Sequence, residues 1–267
     1  MPRSIWSGAI SFGLVNVPIK LFSAVSPKDV RFHQLDARTK SRVKQKRVSA
    51  ATGEEVPYEE IVKGYELGPD TYVTISPEEL DSLDPKSTKS IDIEDFVDLD
   101  QIDPIYFERP YYLVPDKGGT KAYALLREAM RETNKVGIAR MVLRTKQYLA
   151  AIRPVGDALV LETMLFADEV VPPDELDLPG KDIEVTERAE KMARQLIDSL
   201  TTDFEPDKYK DEYRERVLAL IEQKAAGQEI VVEDTAEEAP KVVDLMAALE
   251  ASLAAVQKSG GGGKGVG

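Results

Sequence analysis

The fold is decided near the start of the chain, where residues 5–19 have the sequence IWSGAISFGLVNVPI. Apolar and β-branched residues alternate here with small or polar ones, a pattern typical of strands and not of a helix. Gly8, Gly13 and Pro18 interrupt the pattern at points where a strand bends, bulges or ends. The stretch therefore predicts strands with a bulge or a sharp bend.

Working outward, the sequence predicts a mixture of strands and helices. Further strands are expected at 30–35, 43–48, 90–97, 109–114, 136–145, 148–153 and 158–166, the last three forming an antiparallel meander with a Gly156-Asp157 turn. Helices are expected at 57–67, after Ser76-Pro77, at 120–134, 186–200, 206–227 and 242–256. In the helix at 120–134, the buried side is predicted to comprise Leu125, Leu126, Ala129 and Met130. The fold class is therefore α+β.

Length and composition exclude several classes of protein. The 267 residues contain no cysteine and one histidine, so disulfides, thiolate zinc sites and cysteine nucleophiles are excluded. We find no phosphate loop, dinucleotide fingerprint, zinc helix or nucleophile elbow. No apolar run approaches the roughly 18 residues of a membrane span, and no hydrophobic signal segment follows Met1. We expect a cytoplasmic protein without a cofactor.

The charge is divided into blocks of opposite sign. Lys and Arg total 35 against 48 Asp and Glu, a net charge of −13. Yet residues 28–47 hold eight basic and two acidic residues, and residues 117–153 hold nine basic and two acidic. Two basic blocks in an acidic protein favour one oriented mode of polyanion binding, although each block alone could be an ordinary solvated face.

The first basic block contains a regular row of cations at even-numbered positions: Arg38, Lys40, Arg42, Lys44 and Lys46. In an extended strand these side chains would share one face and span about 27 Å. Duplex DNA presents on the order of 16 phosphates over that length. The row predicts contacts to a DNA backbone, and the competing interpretation is an edge strand protected by lysines.

An acidic cluster offers a different chemistry. It comprises Asp92, Glu94, Asp95, Asp98, Asp100 and Asp103. Carboxylates of this density could hold Mg²⁺, as in a metal-dependent nuclease, but they lack the spacing of a calcium loop. A solvated acidic face is the competing interpretation.

Several motifs, in order along the chain, closely resemble the bacterial Ku family. They are the stretch from Ile5 to Pro18, Arg31-Phe32-His33-Gln34, Lys46-Arg47-Val48, Leu143-Arg144-Thr145-Lys146, Leu149-Ala150-Ala151-Ile152-Arg153 and Phe204-Glu205-Pro206-Asp207-Lys208-Tyr209. The resemblance extends from about residue 1 to about residue 257. It is more specific than the charge pattern.

The resemblance implies a homodimeric factor of non-homologous end joining that binds double-stranded DNA ends without sequence preference and recruits the ATP-dependent ligase D. It implies a β-barrel core with a bridging element that forms a DNA-encircling ring in the dimer. A helical arm and a short C-terminal helix follow. The implied boundaries are 1–180 for barrel and bridge, 181–227 for the arm, 228–240 for a flexible acidic linker and 241–267 for the ligase-recruiting helix and Gly-rich tail.

The resemblance and the basic blocks together give the candidate site residues. Predicted DNA contacts are Arg31, Arg38, Lys40, Arg42, Lys44, Lys46, Arg47, Lys117, Lys121, Arg140, Arg144, Lys146 and Arg153. Predicted ligase contacts are Asp244, Leu245, Met246, Leu249 and Leu253. No catalytic residue and no metal ligand are predicted. The expected partners are DNA ends, a second copy of the chain and ligase D. No membrane partner is expected, and the expected location is the nucleoid.

The sequence departs from some members of the family in two ways. Where they carry a Cys-x-x-Cys pair, this chain has Ser49-Ala50-Ala51-Thr52-Gly53, which supports no metal role. Where they carry a long Lys-rich extension, it has only Lys258 and Lys264. Two alternatives stay open at this point: a protein that coats DNA laterally, and a metal-dependent nuclease.

Overall fold

The protein forms a closed seven-stranded β-barrel followed by helices. In the computed structural model, the described residues are 3–83, 89–143, 146–180, 183–227 and 245–260. The chain divides into two compact units, residues 1–28 with 32–172 and residues 29–31 with 173–267. Among the helices of the described residues, none is long and apolar enough to cross a membrane.

The barrel consists of seven strands in the spatial order β1-β2-β6-β9-β8-β7-β5. Their bounds are β1 Trp6–Phe12, β2 Val15–Ser23, β5 Ser90–Asp98, β6 Phe107–Pro115, β7 Lys135–Leu143, β8 Lys146–Val155 and β9 Ala158–Met164. All neighbours pair antiparallel except β1 and β5, whose short parallel pairing closes the barrel. The predicted early strands, the strands at 90–97 and 109–114 and the C-terminal meander are confirmed.

Two glycines shape the first hairpin. Gly13 lies in the two-residue turn between Phe12 and Val15 with φ +58°, a backbone region that glycine adopts without steric cost. A Cβ on Gly8 would lie 2.1 Å from the carbonyl oxygen of Lys89, beside the parallel pairing. Gly8 thus permits the close approach that closes the barrel.

The barrel interior is one apolar cluster. Alternate residues of the strands point inward, among them Ile10, Ile19 and Leu161, each fully buried. Helix α2, Thr120–Thr133, adds Tyr123, Leu126 and Met130 to the same cluster. The prediction for this helix was partly wrong, because Leu125 is 69% exposed, Ala129 is exposed as well, and Tyr123 is buried instead.

The hydroxyl of Tyr123 joins α2 to two strands. It donates to the carbonyl of Leu113 at 2.7 Å and accepts from the backbone N–H of Leu159 at 2.6 Å. Burial raises the pKa of this phenol, so it stays a neutral donor. The helix is therefore fixed to β6 and β9 by polar as well as apolar contacts.

Residues 24–89, which we call the insertion, separate β2 from β5. They contain a 3-10 turn at Tyr58–Glu60, the hairpin of β3 (Lys63–Gly68) and β4 (Thr71–Ile75), and helix α1 (Pro77–Leu83). The helix start at Ser76 is confirmed, since Ser76 and Glu79 exchange side chain to backbone hydrogen bonds. The predicted helix at 57–67 is wrong, because Tyr65 pairs with Val73 in the hairpin.

The second unit contains three helices among its described residues. They are α3 (Glu187–Leu200), α4 (Glu212–Ala225) and α5 (Leu245–Gly260). Thr186 caps α3, as its side chain accepts from the N–H of Ala189, and Asp211 caps α4 in the same way. The helices predicted at 186–200 and 242–256 are confirmed, whereas the one predicted from Pro206 begins at Glu212. The predicted linker 228–240 lies outside the described residues.

Candidate nucleic-acid interface

The first basic block does not form the extended row that its even-numbered spacing predicts. No strand lies at 30–35 or 43–48 in the described chain, which has only isolated bridges between Leu35 and Arg42 and between Val48 and Glu55. The backbone turns back at 36–41, where Asp36 N–H donates to the Ser41 carbonyl and Lys40 has φ +56°. The cations are therefore distributed around a turn and not along a 27 Å face.

The turn is held in part by Asp36. Its carboxylate accepts from the backbone N–H of Arg38 at 2.8 Å and from the Arg38 guanidinium at 3.4 Å. These contacts hold the pKa of Asp36 below its usual value, the backbone hydrogen bond contributing most. The side chain of Arg38 is nevertheless 89% exposed, so it can exchange this carboxylate for a phosphate.

Five of the predicted DNA contacts are engaged with carboxylates. The pairs are Arg38 with Asp36, Lys46 with Glu55, Arg140 with Glu94, Lys146 with Glu169 and Arg153 with Glu162. Four of these pairs are substantially exposed and contribute little to stability, since water screens them. These four ion pairs are therefore weak.

The pair of Arg153 with Glu162 is different. Two parallel hydrogen bonds join them, at 2.9 and 3.1 Å, and the side chain of Glu162 is only 16% exposed. The hydrogen bonds that Arg153 donates to Glu162 raise the pKa of Arg153. Arg153 is thus committed to joining β8 and β9, and its charge is compensated within the barrel.

Six predicted contacts form no ion pair among the described residues, and all of them except Lys117 have uncompensated charge. The pKa of Asp116, the neighbour of Lys117, is lowered mainly by a hydrogen bond from Lys20, and the charge of Lys117 adds to this effect. Within the described ranges, no carboxylate lies at ion-pair distance from these exposed cations: Arg31, Lys40, Arg42, Lys44, Lys117 and Lys121. Arg47 has a different partner, as its guanidinium lies 5.2 Å from the ring centre of the exposed Tyr58. These cations, most of them in the insertion, are the strongest candidates for phosphate contacts. Arg144 and Asp244 lie outside the described residues.

Some basic residues of the second block serve the barrel itself. Arg127 donates to the carbonyl of Asp157 at 2.7 Å and Arg131 donates to that of Gly156, so both fasten α2 to the β8–β9 turn. Three further exposed cations of the insertion, Lys28, Lys63 and Lys89, were not among the predicted contacts. Lys28 falls inside the first basic block, so the charge count already contained its signal.

Half of the acidic cluster on β5 and after it is engaged in ion pairs or a cap. Glu94 pairs with Arg140, Asp98 pairs with Lys135 at 2.7 Å, and Asp103 caps the next turn by accepting from a backbone N–H. Across the described residues, no group of three or more His, Cys, Asp or Glu is placed to hold a metal ion. The geometry gives the nuclease alternative no support.

Four of the predicted ligase contacts lie on α5. Met246, Leu249 and Leu253 are half-buried and share one face, whereas Leu245 is 65% exposed. Arg188 of α3 donates to Glu250 of α5 at 2.8 Å. The helix predicted from its apolar spacing is thus present, and its apolar face is partly covered by its own chain.

The comparisons with known proteins agree with these observations. The family model described as "Ku70/Ku80 beta-barrel domain" matches residues 11–196. The chain is 51% identical to the "Non-homologous end joining protein Ku" of Anaeromyxobacter sp. (strain K), over 97% of this chain and 88% of that protein. It is 48% identical to the protein of the same name from Heliobacterium modesticaldum, over 96% and 92%.

A more distant relative is matched over its full length. The Archaeoglobus fulgidus "Non-homologous end joining protein Ku" is 42% identical, over 96% of this chain and all of that protein. Among solved structures, the SPOC domain of human PHD-finger protein 3 covers 61% of this chain at 14% identity and a TM-score of 0.30, a likeness too weak to support an argument.

A closed barrel that carries exposed cations without ion-pair partners in the described chain, most of them in residues 28–47, has the character of a nucleic-acid-binding protein. The matches make the class specific. The chain belongs to the Ku family, whose proteins bind DNA ends in non-homologous end joining.

Proposed function

We propose that this protein is a homodimeric clamp that encircles double-stranded DNA ends, without sequence preference, and recruits ligase D through its C-terminal helix. The observation that carries the proposal is the insertion, which is rich in unpaired cations and has no buried residue among those described. We place the clamp in the cytoplasm, at the nucleoid.

The insertion needs a second copy of the chain because it has no core of its own. Twelve of its large apolar or aromatic residues are exposed: Val25, Phe32, Leu35, Val43, Val48, Tyr58, Ile61, Val62, Tyr65, Leu67, Tyr72 and Val73. A two-stranded hairpin such as β3–β4 is marginal in water by itself. Burial against a partner would supply the apolar contacts that the insertion lacks, and this supports its assignment as the bridging element.

The uncompensated cations suit binding that ignores sequence. Lysine and arginine contacts to phosphates fix a protein on the duplex without reading bases. The rest of the chain is acidic, with a net charge of −13 overall, so it repels DNA elsewhere on its surface. Such a charge distribution favours DNA held within the basic surface over DNA adsorbed on the outside.

Selectivity for ends then follows from topology. A closed ring can pass over a free end but cannot load on an intact circle, so no chemical contact with the end itself is required. The functional division that we propose remains 1–180 for barrel and bridge, 181–227 for the arm, 228–240 for the linker and 241–267 for ligase recruitment.

A competition experiment tests this function. A labelled linear duplex of a few tens of base pairs, bound at moderate salt, is challenged with equal masses of one plasmid, either closed circular or cut into many fragments. We expect only the fragments to compete. Equal competition by closed circles would favour the lateral coating protein and contradict the clamp.

A second arm addresses the nuclease alternative. Linear DNA incubated with the protein and Mg²⁺ or Mn²⁺ should stay intact, because Glu94, Asp98 and Asp103 of the acidic cluster are engaged in ion pairs and a cap. Metal-dependent shortening of the DNA would contradict a purely binding role.

A further inference from the structure

Helix α5 is packed on α3 within the second unit, and this is the most extensive helix–helix contact in the described chain. The covered face of α3 comprises buried Ala189 and half-buried Met192, Ala193 and Leu196. These positions follow the spacing of one helix face. Arg188 and Glu250 form a 2.8 Å ion pair between the two helices.

The covered face of α5 is the one proposed to bind the ligase. Met246, Leu249 and Leu253 follow the spacing of one stripe and are half-buried, while the opposite side presents exposed Ala247, Ala251 and Ala255. Glu250 lies at the edge of the stripe, within reach of Arg188. A helix with one apolar stripe can pack that stripe on one surface at a time. Contact with α3 and contact with a ligase are therefore mutually exclusive.

We infer that α5 is an intramolecular latch: its apolar stripe is docked on α3 in the free protein and must leave α3 to engage the ligase. This inference rests on the proposed recruiting role of α5 and adds a regulatory step to it. The face of α3 around Ala189 and Ala193 competes with the ligase for the apolar stripe of α5. The ligase has to displace α3 from this stripe.

The tether makes this competition effective. Seventeen residues, 228–244, connect Gly227 to Leu245, so docking is an intramolecular event. Tethered partners compete at effective concentrations on the order of millimolar. The side chains of the Arg188–Glu250 pair are 73% and 54% exposed, so the pair changes the docking equilibrium by roughly fivefold or less. The remaining free energy of docking comes from the apolar stripe.

Docking also affects the helix itself. The 16 residues of α5 form a length that is marginal as an isolated helix in water. Packing against α3 therefore stabilises the helical conformation of α5. The apparent affinity for the ligase is the intrinsic affinity reduced by the fraction of molecules in which α5 is free.

An opening variant tests the latch without altering α5. In the full-length protein, Ala193→Glu places a charge on the covered face of α3, and Gln195→Glu places the same charge on an exposed position of that helix. We expect Ala193→Glu to bind purified ligase D about tenfold more tightly, the gain for a helix docked nine-tenths of the time. Gln195→Glu should bind like the parent.

A locking variant tests the opposite state. Because the chain has no cysteine, Arg188→Cys with Glu250→Cys can be joined selectively by a short bifunctional maleimide. The joined protein should lose ligase binding and keep its affinity for DNA ends. The same double variant, capped with a monofunctional maleimide, is the matched control and should bind the ligase.

The outcomes separate the latch from the recruiting role. Undiminished ligase binding by the joined protein, or equal affinities for both glutamate variants, would overturn the latch. If no form binds the ligase, Ala193→Glu included, the recruiting role fails and the latch fails with it. The yield of intramolecular cross-link reports independently whether α5 lies on α3, and if Ala193→Glu does not fold, the locked pair still decides.

Discussion

The barrel and the insertion are parts of one chain with opposite physical character. The barrel and α2 share a cluster of fifteen buried residues, whereas the insertion has no buried residue among those described. Apolar burial is the dominant favourable term in folding, at roughly 25 cal/mol per Å². The barrel is therefore stable through its own contacts, while the insertion depends on a partner for its final structure.

The same contrast separates the charges. Arg153 of the barrel is held by Glu162 in two hydrogen bonds, and Arg127 is used to fasten α2. In the insertion, Lys40, Arg42 and Lys44 have no carboxylate partner within the described part of the chain. Arg153 and Arg127 thus maintain the fold, whereas these three cations of the insertion are available for binding.

Truncation in the barrel core should give the largest effect. Leu161 is fully buried, so Leu161→Ala should lower the free energy of unfolding by about 2–5 kcal/mol. Tyr65→Ala with Tyr72→Ala in the insertion should change it by less than about 0.5 kcal/mol per residue, because both side chains are exposed. Urea unfolding at low protein concentration, followed by fluorescence of Trp6, measures both, since this single tryptophan packs on the barrel core.

The tyrosine pair should have its effect on self-association. Sedimentation velocity over a concentration series should show a weakened dimer for the tyrosine variant, while Leu161→Ala, where still folded, dimerises normally. A tyrosine variant that destabilises the barrel as much as Leu161→Ala does would contradict the division of roles.

Removing the Tyr123 hydroxyl should give an intermediate effect. Tyr123→Phe leaves the Leu113 carbonyl and the Leu159 N–H without their partner, at a cost of about 1–3 kcal/mol. Because burial raises the folded-state pKa of Tyr123 above its ordinary value of 10.0, its contribution is complete below pH 10 and is lost as pH rises through the folded pKa.

The pH dependence provides the check. From neutral pH to a pH above 10, the free energy of unfolding should fall more for the parent than for Tyr123→Phe. Parallel curves would show that the hydroxyl does not ionise with unfolding in the way that its burial requires.

The smallest effect on stability should come with a clear effect on binding. Lys40→Gln, Arg42→Gln and Lys44→Gln together leave no carboxylate unpaired, so stability should change by less than about 0.5 kcal/mol per site. If each contacts a phosphate, the slope of log affinity against log salt should fall by about 2–3. Arg153→Gln should lower stability and leave the salt slope unchanged. It leaves the largely buried Glu162 without its partner and removes no phosphate contact.

Titrations at several salt concentrations distinguish the two cases. An unchanged slope for the triple variant, together with a reduced slope for folded Arg153→Gln, would transfer the DNA contacts from the insertion to the barrel.

Local patterns predicted the barrel strands well. The first hairpin and the meander from 135 to 164 follow from period-two alternation and from turns at Gly13 and Gly156. The closure could not be predicted, because the parallel pairing of Ile10 with Ile91 joins residues 81 positions apart. Such pairing depends on the register of the whole sheet and not on any local signal.

The insertion shows why the site was only partly predictable. The even-numbered cations imply one face only if the chain is extended, and the backbone hydrogen bonds around Asp36 produce a turn instead. Residues 57–67 carry helix-like apolar spacing, but Gly64 and Gly68 lie in a hairpin strand. Pairing of Arg153 with Glu162 across two strands is likewise invisible to charge counting.

Trapping on closed DNA tests the central claim most directly. The protein is loaded on a linear plasmid, the plasmid is closed by an unrelated ligase, and salt is raised to about 1 M, where the Debye length is only about 3 Å. The account predicts that the protein stays on closed circles and leaves when a restriction enzyme cuts them. Equally fast release from closed and cut DNA would show that the protein does not encircle the duplex.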